Sequence, residues 1–163
     1  MRRLLALFSL ALLVACSNPQ PAATGWDKAA ESLPDPKNPP TITVYHSPSC
    51  GCCKDWLVHL EKHKFTVISK PMDDVTPIKQ QYGLPAAMGS CHTAVVDGYV
   101  IEGHVPADDI KRLLKTRPDI AGLSVPAMPH GTPGMETGRK DPFQVISFDK
   151  QGNTAVFNDY QSY

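Results

Sequence analysis

The sequence predicts an α/β domain over residues 41 to 163, and three features carry this prediction. Segments rich in β-branched and aromatic residues alternate with segments of helical periodicity, as in a layered α/β domain. Asp97-Gly98 lies between two apolar segments, which is a strong signal for a β-hairpin. The chain has 163 residues, which is enough for one domain with a sizeable core. Its 16 basic and 16 acidic residues leave no net charge, which argues against a nucleic-acid partner.

The first half of the predicted domain alternates strands with helices. The segment TITVYH at 41 to 46 predicts a strand that runs directly into a cysteine-containing loop. The segment at 53 to 64 predicts a helix with Trp56 as a core anchor on its inner face, and FTVISK predicts a second strand. The segment DDVTPIKQQYG predicts a short helix, because Pro77 suits a first turn and Gly83 suits a C-terminal end.

The second half adds a hairpin, a helix and a long loop. TAVVDGYVIEG predicts two strands, and PADDIKRLLKTR predicts a helix with acidic residues in its first turn and basic residues in its last. The resulting order is strand, helix, strand, helix, strand, strand, helix, which is that of a thioredoxin-like domain. A loop at 118 to 142 follows, with five prolines and four glycines, and loops of this length are usually functional or disordered. FQVISFD and NTAVFND predict a C-terminal β-hairpin.

The N-terminal residues predict export and a lipid anchor. Residues 1 to 15 have the two arginines and the short apolar run of a signal peptide. The sequence LVAC resembles the lipobox of bacterial lipoproteins, which implies a signal peptide at 1 to 15 and acylation of Cys16. Six prolines between 17 and 40 predict a tether over residues 16 to 40 that is poor in core residues. We therefore expect a periplasmic or cell-envelope protein attached to the membrane through Cys16.

Four further cysteines are predicted to meet at one end of the sheet. The first strand ends where the first helix begins, and an antiparallel third strand starts at that same end. This topology brings CGCC, with Cys50, Cys52 and Cys53, beside Cys91 in SCHT. The fourth strand returns to the same end and delivers His104. Backbone N–H groups at a helix N-terminus favour thiolates, which both disulfide chemistry and metal binding require.

The remaining residues favour a metal site over a dithiol catalyst. Cys50 and Cys53 have the spacing of a redox motif, so a thiol-disulfide oxidoreductase is the alternative, with Cys91 as a third redox partner. In redox members of the fold, a cis-proline occupies the place that Cys91 and His92 take here. Cu(I) selects thiolates and thioethers, and the chain offers further candidate ligands in His92, His104, Met88, Met128, His130 and Met135. A zinc-stabilised interaction module is a third reading, but zinc gives the methionines no role.

Three motifs carry a resemblance to a known family. CGCCKDW, GSCHTAVVDGYVIEGHVP and VPAMPHGTPGME resemble the CopG/PcoG-type family of exported proteins, which are encoded alongside bacterial copper-resistance systems. The resemblance extends from about residue 41 to 136. It implies a thioredoxin-like fold, copper binding and copper tolerance, with other envelope copper-handling proteins as partners. Carried over by motif, it implies cluster ligands at Cys50, Cys52, Cys53 and Cys91.

The sequence thus predicts a copper-binding protein with a cysteine-bridged cluster that holds several Cu(I) ions. The residues leave open whether it is also an enzyme, either a copper or a thiol oxidoreductase. His59 and His63 are four residues apart on the first helix and could share an ion. Because Glu61, Lys62 and Lys64 adjoin them, we expect a solvated face there instead.

Overall fold

The computed structural model describes residues 25–27 and 31–163. The predicted signal peptide and Cys16 lie outside the described residues. The helices and strands, in chain order, are β1 (Thr41–His46), α1 (Gly51–Lys62), β2 (Thr66–Pro71), α2 (Thr76–Gln81), β3 (His92–Val96), β4 (Tyr99–Glu102), α3 (Ala107–Thr116), β5 (Gly122–Ser124), β6 (Phe143–Phe148) and β7 (Thr154–Tyr160). Two 3₁₀ turns cover Gly25–Asp27 and Ala86–Met88. This order confirms the predicted thioredoxin-like α/β domain with its C-terminal hairpin.

All seven strands form one sheet in the order β2-β1-β3-β4-β5-β6-β7. β1 pairs parallel with β2 and antiparallel with β3, and the register places His46 opposite His92. The end of β1 and the start of β3 therefore share one edge, as the sequence predicts. Within the described part of the chain, no helix is long and apolar enough to cross a membrane.

The core packs α1 and α3 together with the central strands. Trp56 of α1 is fully buried, and its Nε1 donates to the carbonyl of Val105 at 2.9 Å. Ile110 and Leu113 of α3 belong to the same apolar cluster. Trp56 thus anchors the core as predicted, directly below the helix turn that carries the cysteines.

The loop predicted at 118 to 142 contains a short strand. β5 pairs parallel with β4 and antiparallel with β6, so it joins the C-terminal hairpin to the rest of the sheet. A Cβ at Gly122 would come within 2.0 Å of the Val100 carbonyl oxygen, so only glycine allows this close approach. Three residues are too few to show a period-two pattern, which explains why the sequence does not reveal this strand.

The predicted tether packs against the domain at Trp26. Its indole lies 5.4 Å from the ring of Tyr160 and 5.2 Å from that of Tyr163, centroid to centroid. Its Nε1 donates to the carbonyl of Gly131 at 2.7 Å. A single large aromatic side chain thus docks this segment on the domain.

Candidate metal and thiol site

Four cysteine sulfurs lie together at the N-terminus of α1. The Sγ atoms of Cys50, Cys52, Cys53 and Cys91 are all within 4.8 Å of one another. Cys50 and Cys53 form a disulfide, while Cys52 and Cys91 carry free thiols. Cys50 also caps α1, because its sulfur accepts a hydrogen bond from the Cys53 backbone N–H. This cap starts the helix at Gly51, two residues before the predicted start.

Two histidines extend the cluster from Cys91. The Cys91 sulfur lies 3.2 Å from Nδ1 of His92 and 3.2 Å from Nε2 of His104. The carbonyl of Pro133 lies 2.7 Å from Nδ1 of His104 and can only accept, so Nδ1 carries the proton. In the neutral ring Nε2 then presents its lone pair to the sulfur.

His92 leaves one polar atom unsatisfied. Among the described residues, its Nε2 is the one buried side-chain nitrogen or oxygen without a hydrogen-bond partner. The ring packs 4.4 Å from the ring of Trp56 and 5.0 Å from that of His104. Buried polar atoms are nearly always satisfied, so an orphaned nitrogen on a ring whose Nδ1 contacts the Cys91 sulfur fits a side chain that binds a metal.

Burial favours the neutral forms of Cys91, His92 and His104. It raises the pKa of the Cys91 thiol to about 12, and the neighbouring Cys52 acts in the same direction. Burial also lowers the pKa of His92 well below its usual value, with His104 adding to the effect. The pKa of His104 is likewise lowered by burial. Neutral imidazoles are the form that binds metals, and a soft cation would replace the thiol proton.

The long loop covers the first turn of α1. A Cβ at Gly134, where φ is +81°, would lie 2.7 Å from the Cys52 carbonyl oxygen and 2.8 Å from the Trp56 backbone nitrogen. Only glycine fits this conformation and this approach. Together with the Pro133 contact to His104, this packing holds the loop against the site.

The other predicted ligands take varied positions. Met88 ends a 3₁₀ turn and is half-buried, and its carbonyl accepts from Ser124 Oγ at 2.7 Å. Met128 is 45% exposed, and Met135 is half-buried. His130 Nδ1 lies 2.7 Å from Thr137 Oγ1. The geometry therefore brings His92 and His104 to Cys91, while His130 already has a hydroxyl partner.

The remaining histidines have structural partners. His46 Nε2 lies 2.8 Å from Ser69 Oγ. The predicted solvated face at His59 and His63 is wrong, since these side chains are only 5% and 3% exposed. The start of α3 and the Trp26 segment cover them, and the sequence pattern of α1 does not reveal either contact.

A buried carboxylate beside Cys91 is a feature that the sequence analysis missed. Glu102, at the end of β4, is fully buried and forms an ion pair with Lys79 of α2. Burial raises the pKa of Glu102, although hydrogen bonds from Lys79 and Thr93 oppose this rise. The sequence feature that could have indicated this buried carboxylate is the single charged residue in the otherwise apolar segment YVIEG.

Comparisons with known proteins agree with this architecture. A family model described as "Protein of unknown function, DUF411" matches residues 88–135, which include Cys91, His92 and His104. No curated protein matches the chain. A solved structure titled "Copper resistance protein copG- Form 2" is 46% identical, with a TM-score of 0.73, and the match covers 76% of this chain and 99% of that one. Its "Form 1" is 45% identical with the same TM-score, covering 77% and 100%. The chain therefore belongs to the CopG copper-resistance family.

Proposed function

We propose that this protein binds copper as Cu(I) through its four clustered cysteines and so contributes to copper resistance. One observation carries the proposal: four sulfurs lie within 4.8 Å of one another. Thiolates select Cu(I) over harder ions, and the solved relatives bear the name of a copper-resistance protein. The copper-resistance name of the relatives and the thiolate donor set thus both support copper as the ligand.

The cysteine spacing supports a cluster of several coppers. Cys52 and Cys53 are adjacent, so they cannot easily join Cys50 around one tetrahedral ion. Sulfurs that each bridge two ions would relieve this restriction. His92 and His104 would complete the site beside Cys91, with Met88, Met128, His130 and Met135 as further ligands.

The Cys50–Cys53 disulfide supports coupled copper and thiol redox chemistry. When both residues are thiols, two Cu(II) ions can each accept one electron from them. The S–S bond then forms, two Cu(I) ions result and two protons are released. Restoring the thiols takes two electrons and two protons from a dithiol reductant, which becomes a disulfide itself.

The same disulfide favours a second candidate function, thiol-disulfide oxidoreduction by Cys50 and Cys53. The free Cys52 and Cys91 thiols beside it oppose that function, because they would trap internal disulfides during turnover. We therefore expect weak reduction of an insulin-type disulfide. Rapid turnover that survives Cys52→Ser would instead establish the oxidoreductase.

We further propose that the protein works in the cell envelope as a lipoprotein. The proposal rests on the signal-like residues 1 to 15 and on Cys16, followed by the proline-rich segment at 16 to 40. Docking of Trp26 would shorten the free tether and hold the domain closer to the membrane. Metabolic labelling with a fatty acid should mark the wild-type chain and not Cys16→Ser.

A Cu(I) competition assay tests the proposed function. The full-length chain, purified in detergent and reduced without oxygen, is titrated with Cu(I) against a chromophoric chelator. The matched control is the same protein with the Cys50–Cys53 disulfide formed. We expect the reduced chain to take Cu(I) from the chelator and the oxidised chain to take much less. Failure of the reduced chain to compete would contradict copper binding.

A further inference from the structure

Glu102 lies where it can hold the segment that carries Cys91. We propose that Glu102, paired with Lys79, is a positioning residue that fixes the backbone around Cys91 and His92 so that the Cys91 sulfur stays beside the other three. This inference rests on the proposed function, since the positioned sulfur is a proposed copper ligand. Glu102 itself touches neither the sulfurs nor a bound ion.

The carboxylate contacts the chain on both sides of Cys91. One oxygen, Oε1, accepts from the Ser90 backbone N–H at 2.6 Å and from Lys79 Nζ. The other, Oε2, accepts from Thr93 Oγ1 at 2.7 Å. Ser90 and Thr93 directly flank Cys91 and His92, so one side chain restrains both ends of the two-residue segment.

Backbone hydrogen bonds hold this segment at Gly89, from the Ala127 N–H, and at His92, from the Gly103 N–H. Residues 89 to 93, GSCHT, include a glycine and no proline, so the backbone lacks an intrinsic restraint. Ser90 packs closely on the end of β4, since a Cβ at Gly103 would come 2.6 Å from Ser90 Oγ. The Ser90 hydroxyl also donates to the Ala127 carbonyl of the long loop. Glu102 therefore connects β3 and α2 to Ser90, the residue before Cys91.

Burying a charged pair costs desolvation free energy. A buried pair that holds a loop therefore needs an explanation in the arrangement that it imposes. Glu102 is fully buried, and Lys79 is only 18% exposed. Well-packed apolar residues often match or exceed the stability of such a buried pair, so its use is better explained by the arrangement that it specifies. Here that arrangement is the position of Cys91.

The test compares two buried carboxylates. Glu102→Gln removes the charge beside Cys91 with little change of shape. Asp109→Asn is the matched control, since Asp109 of α3 is equally buried and accepts from Arg112, Asn158 and Tyr160. Both full-length variants are titrated with Cu(I) at a temperature where circular dichroism shows them folded. We expect Glu102→Gln to lower Cu(I) affinity about 10- to 100-fold, as for groups that orient metal ligands, and Asp109→Asn to leave it unchanged.

A metal-free measurement separates this inference from copper binding. With Cys50→Ser and Cys53→Ser in place, the equilibrium constant of the Cys52–Cys91 disulfide is measured in glutathione buffers. Adding Glu102→Gln should lower that constant several-fold, and adding Asp109→Asn should not. If the wild-type chain fails to bind Cu(I), the proposed function fails while this measurement still tests the positioning.

Two results would overturn the inference. One is a Glu102→Gln chain that keeps wild-type values in both assays. The other is an Asp109→Asn chain that loses as much as Glu102→Gln, which would make the effect one of general stability. If Glu102→Gln does not fold, Thr93→Val removes one of the three donors and is compared with Asp109→Asn in the same way.

Discussion

Two groups of cysteine or histidine side chains lie at opposite ends of helix α1. They differ in how many of their polar atoms have hydrogen-bond partners. Cys50, Cys52 and Cys53 lie at the N-terminus of the helix, close to Cys91 and its two histidine neighbours. His59 in its second half and His63 just after its end have rings that lie 4.4 Å apart. Both groups are largely buried, and both were candidates for an ion on spacing alone. Hydrogen bonding, rather than burial, is what separates the two groups.

The His59–His63 cluster uses its nitrogens to join elements. His59 Nε2 accepts from the Ala107 backbone N–H at 3.0 Å, which caps α3 where Pro106 provides no side-chain bond. His63 Nδ1 lies 3.2 Å from Nζ of the buried Lys111, and His63 Nε2 bonds to the Trp26 carbonyl. A cation there would have to break these bonds, so we assign the cluster to the fold.

The cysteine cluster, in contrast, has thiols outside any disulfide and an imidazole nitrogen without a hydrogen-bond partner in the described part of the chain. Cys52 and Cys91 are thiols, and His92 Nε2 has no partner among the described residues. An unsatisfied buried atom costs stability, about 1–3 kcal/mol. Such a cost is typical of a buried group that serves binding or catalysis rather than stability.

The largest effect that would sharpen this contrast is expected at Cys91. Cys91→Ser should lower Cu(I) affinity more than about 100-fold, beyond the range for groups that only orient a ligand. The fold should remain intact, because the substitution is nearly isosteric. Chelator competition and circular dichroism measure the two quantities. Unchanged copper binding would remove Cys91 from the site.

A matched pair of histidine substitutions tests the contrast itself. His92→Leu should weaken Cu(I) binding while changing the unfolding free energy little, because it removes the unsatisfied Nε2 and leaves the Cys91 sulfur its contact with His104. His59→Leu should leave copper binding unchanged and cost about 1–3 kcal/mol, because it leaves the Ala107 N–H unpaired. Urea unfolding gives the unfolding free energy of each variant, and copper titration gives its Cu(I) affinity. The opposite pattern would reverse our assignment of the two clusters.

A smaller effect is expected where the N-terminal segment joins the structural cluster. Trp26→Ala should cost roughly 2 kcal/mol, less than a fully buried tryptophan, because its indole is only half-buried. It should leave Cu(I) affinity unchanged. Urea unfolding measures the loss, with Trp56 as the remaining fluorescent indole. An unchanged unfolding midpoint would show that the docked segment contributes no stability.

The smallest effect is a pH dependence away from the cysteines. Burial raises the pKa of Asp109 above its usual 3.8, although Tyr160 and Arg112 oppose this rise. A carboxyl group with a raised folded-state pKa stabilises the fold below its unfolded pKa, and this contribution is lost as the pH rises through the folded value. Asp109→Asn should therefore lose less stability than wild type between about pH 4 and the raised pKa. Parallel pH profiles from urea unfolding would contradict this.

Much of the fold could be predicted because short sequence patterns specify its strands, helices and turns. Asp97-Gly98 specifies a tight hairpin, and both residues have positive φ, 50° and 86°. Cys50 starts α1, and the antiparallel pairing of β1 with β3 then brings Cys91 to the CGCC motif. The periodicity of the sequence predicts the order of strands and helices. That order determines the sheet topology, and the topology brings the four sulfurs together.

The rest depends on contacts between distant residues. Burial of His59 and His63 depends on α3 and on Trp26, 37 residues before His63. Glu102 is satisfied by Lys79, 23 residues earlier, so its burial could not be inferred from β4 alone. Side chains of one helix look alike in sequence whether water or another element covers them.

We propose that the four cysteines form one cluster that holds several Cu(I) ions. The most direct measurement is native mass spectrometry of the reduced full-length chain during an anaerobic Cu(I) titration, counting the coppers in each species. We expect species with several coppers to form cooperatively, with few singly loaded chains, and Cys91→Ser to abolish the species with several coppers. A chain that saturates with one copper would contradict the cluster, and one that binds none would make these thiols redox groups only.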